Sequence, residues 1–326
     1  MLSRVANGIY WMNRYIERAE NYARFIEVNL SLALDLPEEG MEQWDPLVQT
    51  TGDQDLFQAQ GRTPTREQVI DFLVSDDANP NSILSCLFAA RENARSVREI
   101  ISSEMWEQVN RFYLSVKEQI AAGLVRRNPY EFLSGVKQAS HLFVGITDAT
   151  MSHGEGWHFS RVGRLLERAD KTSRIVDVKY FFLLPSGQST GASLDNIQWA
   201  ALLKSASALE MYRKRYGRIA PRDVAEFLIL APEFPRAIHY CLIKAAESLY
   251  AIAGSELEWH RSPAEKRLGR LRAELAYAEI DDIIASGLHQ FLDHLQAKLN
   301  EVGSAIAETF FTLRPTQSAP LLAENQ

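Results

Sequence analysis

Two stretches of this chain, 150 positions apart, carry the same charged string. Arg14-Tyr15-Ile16-Glu17-Arg18-Ala19-Glu20, followed by Arg24 and Val28, lies over Arg164-Leu165-Leu166-Glu167-Arg168-Ala169-Asp170, followed by Arg174 and Val178. A second match appears downstream at a spacing of 155. Val69, Phe72, Leu73 and Pro80 fall on Val224, Phe227, Leu228 and Pro235. Ile83, Cys86, Leu87, Ala90 and Glu92 fall on Ile238, Cys241, Leu242, Ala245 and Glu247. Amphipathic helices share isolated matches by chance. Two collinear matches that include the only two cysteines of the chain point instead to an internal duplication. The expected fold is all-α: two related multi-helix bundles with a pseudo-twofold relation. The first would occupy residues 1–152 and the second 153–314, with 315–326 a flexible tail. Whether the two repeats form one compact domain stays open.

The periodicity supports helices throughout. Apolar residues recur at three and four rather than at two. A first long helix is expected over 3–35, ended by Pro37 and Gly40, with short helices near 42–60 and 64–75. Asn79-Pro80-Asn81 opens a helix to about 102, another covers 104–122, and Asn128-Pro129 starts one to about 151. Ser152-His153-Gly154-Glu155-Gly156 breaks the halves. Helices are then expected over 157–184, 194–218, 221–231, 235–255, 262–286 and 288–314, with a Gly/Ser loop over 186–193. Ser262-Pro263-Ala264-Glu265 has the form of a capping box with proline at the first helical position.

Bulk properties exclude several classes. The net charge is −7, which argues against general affinity for nucleic acid. Two cysteines make no disulfide framework and suit a reducing cytoplasm. The start Met1-Leu2-Ser3-Arg4 has no apolar signal core, and no apolar run approaches the ~18 residues of a membrane span. A cytoplasmic location without membrane association is expected, and a homo-oligomer is left open.

The charged string needs explaining. Projected at about 100° per residue, Trp11, Met12, Tyr15, Ile16, Ala19, Tyr22, Ala23, Ile26 and Leu30 form the core face of the first helix. Arg14, Glu17, Arg18, Glu20, Asn21 and Arg24 occupy the other side. On one helix that pattern reads as a solvated row of ion pairs. Two details oppose this. Phe25 and Val28 lie among the charges, and Ile175 and Val178 repeat them. The charges also agree between halves while core residues drift, as in Tyr22 against Thr172. The expectation is a covered, interhelical charge seam near the pseudo-twofold axis. In it Glu17 and Glu167 would pair with arginines of neighbouring helices, because a covered charge must be paired. Arg14, Arg18, Glu20, Arg24, Arg164, Arg168, Asp170 and Arg174 would be its structural members.

A third cluster, Arg91, Arg95 and Arg98 with Glu92 alongside, forms one stripe on the helix after Pro80. Stacked arginines repel unless an anion faces them. Glu17, Glu20, Glu104 or Glu107 could supply it, and so could a carboxylate or phosphate ligand suited to guanidinium forks. The second half has Ala246 and Tyr250 in place of Arg91 and Arg95, so a site here would be single. Other chemistry is weak. Glu155-Gly156-Trp157-His158 has the spacing of one half of a carboxylate di-iron motif, but only one copy exists. No metal and no cofactor are expected, and the cysteines read as small buried apolar residues. There is no glycine-rich phosphate loop or nucleophile elbow. Arg213, Lys214, Arg215 and Arg218 make a short basic patch.

Several strings resemble the bacterial alpha-E domain family, helical proteins with a Glu-Arg motif. They are Tyr15 through Asn21 with Arg24, Ala90 through Arg95 with Arg98, Glu99, Glu104 and Trp106, and Leu166 through Arg174. Phe234-Pro235-Arg236 with Cys241-Leu242 belongs with them. The resemblance covers roughly 1–314. It implies an association with a circularly permuted ATP-grasp protein and a transglutaminase-like peptidase, in a system that forms or trims peptide-like amide bonds. The function expected from it is an accessory or partner of an ATP-grasp amide ligase, binding the ligase or an anionic peptide-like substrate through a charged Glu/Arg groove. A first alternative is an enzyme of amide-bond formation or hydrolysis, with Glu17 or Glu167 as general base and Arg91 and Arg95 clamping a carboxylate. A second is a purely structural scaffold.

Overall fold

The computed structural model describes residues 1–35, 44–183, 192–255 and 260–312, with side chains at 32–35, 178–183 and 192–195 left aside. The calls made for Pro37 and Gly40, for 186–191 of the expected loop and for the 315–326 tail lie outside these residues, as does the side chain of Val178; residues 192–193, expected in that loop, open a helix instead. The described part is all-α. In chain order the helices are α1 (Ser3–Asp35), α2 (Asp45–Thr51), α3 (Gln54–Ala59), α4 (Arg66–Val74), α5 (Ile83–Ser96), α6 (Ser103–Ala121), α7 (Leu124–Arg127) and α8 (Pro129–Thr150). There follow α9 (Glu155–Leu183), α10 (Ala192–Ser205), α11 (Leu209–Tyr216), α12 (Pro221–Leu230), α13 (Ile238–Ala253), α14 (Pro263–Ala276), α15 (Ile280–Ser286) and α16 (Leu288–Ile306), closed by a π-helical turn at Ala307–Phe311.

Local chemistry sets many boundaries. The side chains of Thr65, Ser82, Ser102, Asn128 and Ser262 each accept from a backbone N–H in the first turn of the helix they precede. Glu265 accepts from the Arg261 N–H at 2.9 Å, one residue before the N-cap, and from the Ser262 hydroxyl at 2.8 Å, a variant of the capping box. Two expected long helices are broken. The 194–218 stretch divides between α10 and α11 at Ser207, which takes φ +50°. The 262–286 stretch divides at Tyr277–Glu279, where the backbone turns extended before α15. The helix expected to reach 102 stops at Ser96, and α6 then starts afresh on its own Ser102 cap.

α1 and α9 lie side by side at the centre and run in parallel register. The Tyr10 carbonyl abuts Gly163, Ser160 donates to Asn13 Oδ1 at 2.8 Å, and Arg14 reaches Glu167. Glycine at 163 is what permits this approach, since a Cβ there would penetrate the Tyr10 backbone. α1 packs against α5 and α8, and α6 bridges α5 and α8. α9 packs in the same way against α13 and α16, and α14 bridges those two. One continuous apolar core runs through both sets, from Ile9, Phe72 and Phe132 to Leu228, Leu249 and Leu292.

Candidate functional site

The seam between α1 and α9 is built from the two charged strings. Glu17 and Glu167 face each other's arginines across it. Arg168 grips Glu17 with Nε and Nη2, both at 2.8 Å. Arg18 grips Glu167 with Nε at 2.7 Å and Nη2 at 3.0 Å. The exchange is reciprocal: the Glu of each string is held by the Arg of the other. Arg14 adds a bond to Glu167 Oε2 at 2.8 Å, and Arg236, at the start of α13, approaches Glu17 Oε1 at 3.3 Å. Glu17 is 1% exposed and Glu167 fully buried. Phe25, Val28 and Ile175, which follow the charged strings along the two helices, are buried as well.

A second tier lies one turn along. Glu20 accepts from Arg24 Nε at 2.9 Å and Nη2 at 2.7 Å, from Ser140 Oγ at 2.8 Å, and from Arg236. His141 on α8 sits 3.1 Å from Glu20 Oε1, and its side chain is 59% exposed, so the seam meets solvent here. In the other string Asp170 takes Arg174 Nε at 3.0 Å and Lys171 Nζ at 3.1 Å. Arg18 also donates to Asn81 Oδ1 at 2.5 Å, and Asn81 passes a bond at 2.6 Å to Asp53, which accepts from the Tyr22 hydroxyl at 2.8 Å.

The electrostatics follow from this packing. Burial works to raise the carboxylate pKa values, and the cations overcome it. Arg168 and Arg236 hold Glu17 below the usual carboxylate range. Arg18, Arg14 and Lys171 hold Glu167 well below it, and Arg236, His141 and Arg24 do the same for Glu20. All three stay ionised and engaged, and a carboxylate gripped on both oxygens makes a poor proton acceptor. Cys86 and Cys241 lie beside the seam, fully buried, with their thiols pushed up to about 12 by burial.

The arginine stripe lies elsewhere, on the outer surface of α5 against α6. Arg91 donates to Asn110 Oδ1 at 2.7 Å and Glu92 Oε1 at 2.9 Å, and Arg95 pairs with Glu92. Arg91 and Arg98 both lie over the Trp106 ring, at 5.9 and 4.8 Å. Glu92, rather than Glu17, Glu20, Glu104 or Glu107, is the acid that Arg91 and Arg95 meet, whereas Arg98, past the end of α5, is placed over Trp106. The stripe and the seam are therefore separate places. Seam members such as Arg236, Lys171, Ser140 and His141 were not singled out as site residues from sequence. Arg236 had one signal, its place after Pro235 at the position of Asn81 after Pro80.

The fold and the site together define a class: an all-helical bundle protein organised about a buried, cross-paired Glu-Arg seam. The chain belongs to the Alpha-E family, described as "a predicted alpha-helical domain with a conserved ER motif", whose model matches residues 1–311. It is similar to uncharacterized proteins of Mycobacterium bovis and Mycobacterium tuberculosis, at 21% identity over 99% of this chain. It spans 38% of the length of those relatives, so most of each relative lies outside the match. No solved structure matches the chain. Among the described residues no helix is long and apolar enough to cross a membrane.

Proposed function

We propose that this protein is a non-catalytic partner protein acting in the bacterial cytoplasm, docking on an ATP-grasp amide ligase or on the acidic peptide-like substrate of such a ligase. The observation that carries the reading is the state of the motif glutamates. Glu17 and Glu167 are buried, ionised and held in two-pronged guanidinium pairs, which leaves neither as a general base. Their role is to join α1 to α9. The reciprocal pairing is what a duplicated helical unit would produce about a twofold axis. The relatives add support, because in them this unit is joined to a much longer chain, as suits a module that works attached to something else. The link to an ATP-grasp ligase and to a transglutaminase-like peptidase comes from the family resemblance, and warrants an experiment of its own.

That experiment is co-purification of the chain with an ATP-grasp amide ligase of the same organism, followed by ligase assays with and without the chain. The expected results are a complex and a change in amide-forming rate. The absence of both would overturn the reading. Amide-bond chemistry by the isolated chain that is abolished in Glu17→Gln or Glu167→Gln would favour an enzyme instead.

A further inference from the structure

A cavity beside α4 lies apart from the seam. It holds about 610 Å³ between α4, the end of α6, α7 and the start of α8. That is within the ~300–1,000 Å³ of small-molecule sites. One part of its wall is apolar: Ile70 of α4, Ile120 and Ala121 of α6, and Val125 of α7. Another part is charged. Arg66 and Glu67 line it from the first turn of α4, and Arg126 lines it from α7. All three are exposed, and within the described residues none has an ion pair or a side-chain hydrogen bond. The fourth charged residue of the wall, Asp71, is already engaged, by Arg62 Nη1 at 2.9 Å and by the Ser75 hydroxyl at 2.8 Å.

The 155-residue spacing supplies a comparison within the chain. Val69 falls on Val224 at that spacing, which puts Glu67 on Arg222. Arg222 grips Asp281 of α15 with Nε at 2.8 Å and Nη2 at 2.9 Å, and α12 packs against α15. α7 stands between α6 and α8 as α15 stands between α14 and α16, but it has four residues against seven. On the first side the charges are exchanged, with Glu67 on α4 and Arg126 on α7. They do not pair, and both line the cavity instead. What the second set closes with its own side chains, the first leaves open.

The unengaged groups prescribe a ligand. Two guanidiniums suit two carboxylates, one carboxylate suits one ammonium, and the apolar wall suits a hydrocarbon side chain. We propose that this cavity binds a short acidic peptide with a free α-amino group, one apolar residue and one acidic residue. Arg66 and Arg126 take its carboxylates, Glu67 takes its ammonium, and Ile70, Ile120 and Val125 cover its hydrocarbon. The site gives a place to the peptide arm of the docking reading and rests on that arm, yet it belongs to the isolated chain. A ligase complex without peptide binding overturns the site alone. Peptide binding with neither a ligase complex nor a change in ligase rate overturns the partnership and leaves the site standing.

The test titrates the full chain with the dipeptide leucyl-glutamate at constant ionic strength, read by calorimetry and by melting temperature. Saturable binding and a rise in melting temperature are expected. Leucyl-glutamine, N-acetyl-leucyl-glutamate and seryl-glutamate each lack one of the three groups and should each bind more weakly. Arg66→Gln and Arg126→Gln should each weaken leucyl-glutamate binding by roughly tenfold. Ala121→Phe, which fills the cavity from an exposed position, should abolish it. Arg213→Gln, on α11 and outside the cavity wall, should leave it unchanged. These four positions are exposed, so the variants should melt as the wild type does without ligand. No saturable binding, undiminished binding in both arginine variants, or inorganic phosphate competing as well as the dipeptide would overturn the proposal.

Discussion

Replacing Glu17 by glutamine tests the seam most directly. The change keeps the shape of the side chain and one acceptor oxygen but removes the charge. Arg168 then loses a two-pronged, charge-assisted grip made at 2.8 Å on both nitrogens, and Arg236 loses its nearby acceptor at 3.3 Å. Removing one partner of a buried pair costs about 3–5 kcal/mol. The remaining amide oxygen still accepts one ordinary hydrogen bond, worth about 1 kcal/mol, so the net loss is about 2–4 kcal/mol. For a chain of this size that corresponds to a fall in melting temperature of roughly 3–6 °C. Urea unfolding of the wild type, Glu17→Gln, Arg168→Met and the double variant checks it. The double variant should be less damaged than the sum of the singles by about 2 kcal/mol, because neither charge is then left stranded. A Glu17→Gln protein within about 1 kcal/mol of wild type, or a double variant that is simply additive, would refute the buried-pair account.

Acid should destabilise the protein through the same carboxylates. Glu17, Glu20, Glu167 and Asp170 all titrate lower folded than unfolded. The unfolded chain therefore binds more protons in acid, and their stabilisation is complete at neutral pH and lost as pH falls below about 4.5 towards the folded values. Melting temperature against pH should show that fall, and Glu167→Gln should shrink it. Gly163→Ala should cost about 2–3 kcal/mol or more, because the added Cβ drives α1 and α9 apart. By contrast Gly145→Ala on α8 meets open space and should stabilise by about 0.5–1 kcal/mol in the same melts. Cys86 and Cys241, enclosed and poorly ionised, should not react with a disulfide reagent in the native protein, and both should react in denaturant.

How much of this was legible in the sequence depended on whether the information was local. The helices announced themselves through apolar spacing and caps, and Ser82, Ser102, Asn128 and Ser262 mark starts that the structure keeps. The breaks at Ser207 and at Tyr277–Glu279 carried no glycine or proline to mark them. A helical projection also assumes one core face, and by that rule Glu17, Glu20 and Arg24 should be wet. The buried Phe25, Val28 and Ile175 among them were the clue that α1 and α9 are enclosed on two sides. The place of Arg236 in the seam was not legible, because the segment leading into α13 brings it to Glu17 and Glu20 by tertiary packing across more than 200 residues. The Arg91, Arg95 and Arg98 stripe was legible as a row. Its partner was not, since the choice of Glu92 over four other acids is a matter of where the side chains reach.

The cross-pairing explains why charge, rather than hydrocarbon, occupies the centre of the bundle. An apolar seam of the same volume would be as stable or more so, but it would tolerate sliding of one helix along the other. A carboxylate gripped by both prongs of a guanidinium does not. The Glu17–Arg168 and Glu167–Arg18 pairs lie side by side with opposite polarity, so a shift of α9 by one residue in either direction separates both at once. With Gly163 setting the distance and the paired forks setting the register, α1 and α9 form a fixed spine. α5 and α8 hang from one side of it, and α13 and α16 from the other. A spine fixed in this way presents its outer surfaces in constant relation to one another, which is what the proposed docking role requires. Departures from reciprocity lie outside those pairs: Glu20 meets Arg236, Ser140 and His141, whereas Asp170 meets Lys171. The four residues of the two central pairs must be matched for the register to hold, whereas the contacts around them can change on one side of the spine without unlocking the other.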